Sequence, residues 1–395
     1  MEKILIIGNG FDIAHGLPTR YGDFLEFLTV FDLLYDTYAM HGRLLKESEF
    51  DQASSDYRNS KWMSILHGVF VGGKYVLSTS EDIKVTDSKL EKLYNLIEGN
   101  IWYEYFSELY KEKKMKGLNW IDFESEMSDV IQWIDSVSLQ LEDDYDTVVN
   151  NLYAKVVDEK KNSFYEMIEK HCTADYYEAF IDELYAELED LIKALDIYLS
   201  VIVEKLPIAQ KDIISDINPD FVISFNYTHT FHKLYNQQIP ICYIHGECGS
   251  ENNTNIVLGI DEYLYGNDRD EHTNMSIFKK FIQRIRNRND IVYKSWIDSW
   301  DKQYKDYLEK ERTVFNQPSK PEFQVYVYGH SLGVTDKDIL YNYLFPEYTE
   351  SIIYSYGKSE EGKLISRLIK IIGEDRLIEK SSCIPRKLMF EDCSK

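Results

Sequence analysis

Ile4-Leu5-Ile6-Ile7-Gly8-Asn9-Gly10-Phe11-Asp12 is the stretch that decides how this chain reads. Four apolar residues make a short strand that opens into a glycine-rich turn, and Ala14-His15-Gly16-Leu17-Pro18-Thr19 follows it. Glycine in such a turn lets backbone approach a phosphate, with the first N–H groups of the next helix facing the anion. A tight βα turn that binds nothing has the same outline, so the turn alone leaves both readings open. The fingerprint of an ordinary dinucleotide-binding dehydrogenase wants a third glycine where Ile13 stands and an acidic strand tip about 20 positions later. Asp32 lies near that distance, yet Phe24, Leu25, Leu28, Phe31, Leu34 and Tyr35 recur at helical spacing and place it on a helix. The dehydrogenase reading is therefore disfavoured.

Working outward, three later strands carry polar residues just past their ends. Phe221-Val222-Ile223-Ser224-Phe225 runs into Asn226-Tyr227-Thr228, and the stretch from Ile239 to Ile244 runs into His245-Gly246-Glu247. The stretch from Phe323 to Tyr328 runs into Gly329-His330-Ser331-Leu332-Gly333, with Asp336 near the start of a helix. Buried parallel strands read as continuous apolar runs, and ligands of open α/β sheets bind beyond their carboxyl ends. Ile256-Val257-Leu258-Gly259 and Ser351-Ile352-Ile353-Tyr354 read as further strands of the same sheet. The expected class is α/β: a Rossmann-like, mostly parallel sheet with helices on both faces and a large all-helical insertion.

The motif order GNGFDIAHGLPT, SFNYT, IHGE, YVYGHSL resembles the sirtuin-like NAD-binding fold. More closely, GNGFDIAHGLPTRYGDF with FNYTHTF, IHGE and GHSL looks like the bacterial abortive-infection AbiH family. The similarity covers the first thirty residues or so and most of the chain after Asp220. The resemblance implies that Gly8, Asn9 and Gly10 lie around the NAD diphosphate, that Asn226 lies beside the nicotinamide ribose, and that His245 is the catalytic base. Gly329 and Ser331 match the loop on the nucleotide's far side, and Asp12, His15, Thr228 and His330 complete the expected binding set. Two positions depart from the sirtuin pattern: Thr228 replaces an aspartate, for which Asp12 is the candidate substitute, and His330 replaces a threonine.

The function implied is that of an anti-phage effector that hydrolyses the nicotinamide–ribose bond of NAD, giving nicotinamide and ADP-ribose. That bond breaks through an oxocarbenium-like state, so a site must hold the ribose, exclude bulk water and orient one nucleophile. A neutral imidazole can accept the nucleophile's proton, a contribution of about 10² to 10⁴ in rate. The Asn226 amide, both donor and acceptor, can orient ribose hydroxyls or the water. Two other classes stay open. One is a non-catalytic nucleotide-binding sensor or scaffold; the other is an RNA-directed toxin using the basic segment Lys279, Lys280, Arg284, Arg286, Arg288, which otherwise reads as a solvated amphipathic face.

The five cysteines, Cys172, Cys242, Cys248, Cys383 and Cys393, contain no CxxC pair of the kind that holds zinc in deacylating sirtuins. Cys242, His245 and Cys248 fall three apart, which on a strand sends them to opposite faces, so no metal is expected. A net charge of −24 disfavours wrapping a nucleic acid. Scattered thiols, no apolar run long enough for a membrane span and no leader-like start lead to the expectation of a cytoplasmic protein.

The organisation expected is a discontinuous α/β domain over residues 1–27 and 211–395, a helical insertion domain over 28–210, and a smaller helical insertion over 261–322. Tyr177, Ile181, Leu184, Leu188, Leu191, Leu195, Tyr198 and Ile202 step by four and three along one long helix, a seam that serves the insertion's own bundle or a homo-oligomer. Residues 41–61 and 72–89 read as loops. The insertion is the candidate restraint that an unknown phage trigger would release.

Overall fold

The computed structural model describes all residues except 1, 76–82, 84–85, 119, 138–139, 250–253, 265–272, 290, 312–321 and 394–395. Six parallel strands form one sheet in the order β3-β2-β1-β4-β5-β6. They are β1 (Glu2–Ile7), β2 (Phe221–Ser224), β3 (Ile241–Tyr243), β4 (Phe323–Tyr328), β5 (Thr349–Ser355) and β6 (Leu388–Asp392). This is the doubly wound order, and the chain reverses direction across the sheet between β1 and β4. Crevices at such a reversal, past the strand carboxyl ends, are where ligands bind.

Alternation along the strands explains why both faces are covered. Ile4 and Ile6 point into one apolar cluster with Ile223, Val325 and Val327, while Leu5 and Ile7 point into another with Val222 and Tyr328. The first cluster is completed by Trp300 from the Ile291–Glu311 helix, by Leu340 and Tyr343 from the Lys337–Leu344 helix, and by Leu364 and Leu368 from the Lys358–Ile372 helix. The second is completed by Phe11 of the Asn9–Ala14 helix and by Ile214 and Ile217 of the Asp212–Ile217 helix.

The residues group into two units. Met1–Leu17, Ile208–Glu247 and Arg284–Lys395 make the α/β unit, and Pro18–Pro207 with Cys248–Gln283 make the helical unit. In the helical unit the Tyr177–Ile197 helix buries Leu184, Leu188, Leu191 and Leu195, so the seam packs inside its own unit. Trp102 Nε1 donates to the Leu184 carbonyl at 2.9 Å, and the Phe123 ring stacks between Tyr21 at 4.3 Å and Phe106 at 4.0 Å. Asp32 lies on the Tyr21–His41 helix, as the spacing of its apolar neighbours required. Among the described residues no helix is long and apolar enough to cross a membrane.

Several sequence expectations are corrected. Ile256-Val257-Leu258-Gly259 is buried but is not a strand: the Gln283 carboxamide takes both backbone groups of Leu258, accepting from its N–H and donating to its carbonyl, each at 3.0 Å. A side chain thus does the work of a neighbouring strand. Within 41–61 the Glu47–Ala53 helix forms around buried Phe50, so that segment is not all loop. Of the other segment read as loop, 76–82 and 84–85 lie outside the described residues. The edge strand β6, with its short run Leu388-Met389-Phe390, is a strand that the sequence expectations do not include.

Candidate functional site

The last row of residues paired across the four central strands is Tyr243, Ser224, Ile7 and Tyr328. Two residues past the end of each of these strands stand His245, Asn226, Asn9 and His330. Parallel register therefore brings four distant motifs to the carboxyl edge of one sheet.

Asn226 is 3% exposed, and neither its Oδ1 nor its Nδ2 has a hydrogen-bond partner. Its backbone is clamped: the Ser224 hydroxyl donates to the Asn226 carbonyl and accepts from the Asn226 N–H, both at 3.1 Å. A buried amide left without partners costs about 1–3 kcal/mol per group, and folded proteins rarely keep one without a use. This amide is both held in place and chemically unspent.

Beside the preceding residue, Phe225, sit two imidazoles that share a carboxylate. His245 Nε2 lies 3.4 Å from Asp336 Oδ1, and His330 Nε2 lies 3.4 Å from Asp336 Oδ2. The Phe225 ring separates the two imidazoles, with ring centroids 5.3 Å from His245 and 4.2 Å from His330, both edge-on. His330 Nδ1 accepts the Leu332 N–H at 2.9 Å, which leaves its proton on Nε2. All three polar side chains are buried.

Asp12 and Thr228 are also joined. The Thr228 hydroxyl donates to Asp12 Oδ2 at 2.7 Å and lies 3.0 Å from the Thr230 hydroxyl. A carboxylate from the Asn9–Ala14 helix thus stands beside the residue where the sirtuin pattern has its own. His229 Nε2 and Glu247 meet at 2.9 Å, so the segments FNYTHTF and IHGE touch directly.

The glycines have a different explanation from a row of amides aimed at an anion. Gly10 N–H donates to the Gly329 carbonyl at 2.7 Å and Gly8 N–H to the Tyr328 carbonyl at 3.4 Å, so both are used inside the turn. A Cβ on Gly10 would sit 2.7 Å from the Gly329 oxygen, one on Gly8 would sit 2.7 Å from the His330 Cα, and Gly329 itself has φ +67°. These residues are glycine because two backbone turns meet there. His15, another member of the expected binding set, is engaged by the protein itself: Nδ1 donates to the Phe11 carbonyl at 2.7 Å and Nε2 accepts from the Tyr235 hydroxyl at 2.6 Å. Burial lowers its pKa below the ordinary histidine value. Ser331 is exposed, and its carbonyl accepts from Arg367 at 2.6 Å.

The family model described as bacteriophage abortive infection AbiH matches residues 4–356. The chain belongs to the AbiH family. Membership ties it to abortive infection, and the match spans all the motifs gathered at the sheet edge. No curated protein and no solved structure matches the chain.

Two findings in this AbiH chain lay beyond sequence reasoning. Asp336 is central to the cluster but was read only as a residue near a helix start; its signal was an acidic residue shortly after a strand tip that already carried a histidine. The basic segment also differs from a solvated face. Lys279 is 2% exposed, pairs with Glu262 at 2.9 Å and lies 5.3 Å over the Tyr263 ring. Lys280 pairs with Glu124 at 2.6 Å and Arg284 pairs with Asp338 at 2.8 Å, whereas Ile285, Arg286 and Arg288 are exposed. Carboxylates close by offset the cost of burying Lys279, Lys280 and Arg284.

Proposed function

We propose that the carboxyl-edge row binds NAD and hydrolyses its nicotinamide–ribose bond, releasing nicotinamide and ADP-ribose as the effector step of abortive infection. The observation that carries the reading is the buried, clamped Asn226 amide with no partner, two residues past β2 as His245 is two residues past β3, the strand paired with it. An amide can donate to and accept from ribose hydroxyls, and an imidazole can take a proton at neutral pH. In the reaction water adds at the ribose C1′, the C1′–N bonding pair leaves with nicotinamide, and His245 takes the water's proton. The Asp12 carboxylate, joined to Thr228, is the candidate acceptor for the carboxamide NH₂ of nicotinamide. The glycines contribute by letting the β1 and β4 turns close on each other; the N–H groups of Gly8 and Gly10 are already used there.

The test is nicotinamide release from NAD by the purified chain, alongside thermal stabilisation by ADP-ribose. Release is expected, and His245→Ala and Asn226→Ala are each expected to slow it by about 10² or more. Release that both substitutions leave untouched overturns the site. ADP-ribose stabilisation that Asn226→Ala abolishes, with no release, supports the non-catalytic sensor instead. Neither release nor stabilisation overturns both readings.

A further inference from the structure

We propose that Asp336 is a positioning residue: its single carboxylate is shared by two imidazoles, and it holds His245 and stabilises the imidazolium formed when that ring takes a proton. The inference deepens the reading above, since it assigns a partner to the base that reading invokes. The geometry is symmetric, with one carboxylate oxygen toward each ring at 3.4 Å. That distance is longer than a formed hydrogen bond, and contacts of this kind commonly tighten only when ligand is bound. A base oriented by a buried carboxylate is the general arrangement for activating a hydroxyl or water nucleophile.

The two histidines are not equivalent. His330 accepts the Leu332 N–H on Nδ1, so its proton stays on Nε2 toward Asp336 and its remaining lone pair is spent. It fixes the carboxylate and is not the base. The same bond argues against a metal bridging the rings through Nε2, because a ring accepting at Nδ1 would have to give up its only proton to ligate. Leu332 makes this contact from a φ of +55°, a conformation uncommon for a branched side chain, while its own side chain is fully buried.

Three other charged groups on the neighbouring elements have partners of their own. Asp338 pairs with Arg284 at 2.8 Å, Arg367 reaches the Ser331 carbonyl at 2.6 Å, and Asp12 accepts from Thr228 at 2.7 Å. Asp336 is a carboxylate that meets His245, and His330 is a second imidazole that shares it.

The test is NMR titration of the full chain carrying ¹⁵N-histidine, with His245→Asn and His330→Asn used to assign the two rings. In Asp336→Asn the His245 titration midpoint is expected to fall by about one to three pH units, because an anion near the imidazolium is lost. In His330→Asn, whose amide oxygen can still accept the Leu332 N–H, the His245 midpoint is expected to rise, because the carboxylate is no longer shared. A His245 midpoint unmoved in Asp336→Asn overturns the proposal; if that variant does not fold, an unmoved midpoint in His330→Asn does so. These readouts need no turnover, so loss of coupling and failure of the NAD reading are separate outcomes. Where nicotinamide release is measurable, Asp336→Asn is expected to lower kcat by about 10² with KM little changed.

Discussion

His15 illustrates how much one side chain can commit to structure. Both ring nitrogens are bonded inside the α/β unit, Nδ1 to Phe11 and Nε2 to Tyr235, and the ring lies 4.4 Å from the Phe11 ring. Burial disfavours the charged form, and nearby Lys211 adds to that effect. The native state therefore binds a proton less readily than the unfolded chain, whose histidine titrates near 6.5. Stability from this residue is complete above that value and declines as pH falls below it. At one pH unit below the unfolded value the loss reaches at most about 1.4 kcal/mol. Thermal melts are expected to show a steeper decline between neutral and mildly acid pH for wild type than for His15→Asn; equal slopes would refute the assignment. At this scale the sequence identified Asn226, His245 and His330 as residues at strand tips. It could not show that Asn226 lacks partners while His15 has two, because partners come from elsewhere in the chain.

Helices and strands were legible wherever an apolar period ran uninterrupted. β1 and β4 alternate into two clusters, and the Tyr21–His41 helix follows the spacing of Phe24, Leu28, Phe31 and Tyr35. Ile256-Val257-Leu258-Gly259 has the same apolar signature as a strand, yet its Leu258 bonds go to a glutamine side chain. Periodicity reports which residues are buried and not what satisfies their backbone. The Tyr21–His41 helix also carries an electrostatic burden. Burial, then the like charges of Asp36, Glu98 and Glu104, push the Asp32 carboxyl up to about 6. The contribution of Asp32 to stability is complete below its unfolded value near 3.8 and is lost as pH rises through about 6. Asp32→Asn is expected to stabilise the chain at pH 7.5 by about 1 kcal/mol, less than full linkage because the group is partly solvated. Denaturant titration at pH 7.5 checks this, and the gain is expected to vanish near pH 4; no gain at pH 7.5 would refute it.

The whole molecule carries a net charge of −24, with 68 acidic side chains against 44 basic ones. Much of the basic complement is committed to local carboxylates, as at Lys279, Lys280 and Arg284. The remaining acidic excess repels itself over a Debye length of about 30 Å at 0.01 M salt but only about 8 Å at 0.15 M. Melting temperature is accordingly expected to rise when sodium chloride is raised over that range, and a fall would show that attractive pairs dominate. Composition alone also set the class: enough apolar residues for a large core, no membrane-spanning run, and thiols without a zinc pattern. Local order in the sequence, a period of two or of about 3.6, determined the strands, most helices and the glycine turn, because those depend on neighbours along the chain. The gathering of the motifs of His245, Asn226, Asn9 and His330 just past one register row, the sharing of Asp336 and the burial of Lys279, Lys280 and Arg284 were decided only by tertiary structure. Each requires residues tens to hundreds of positions apart to meet, and that meeting is set by strand pairing and packing of the whole fold.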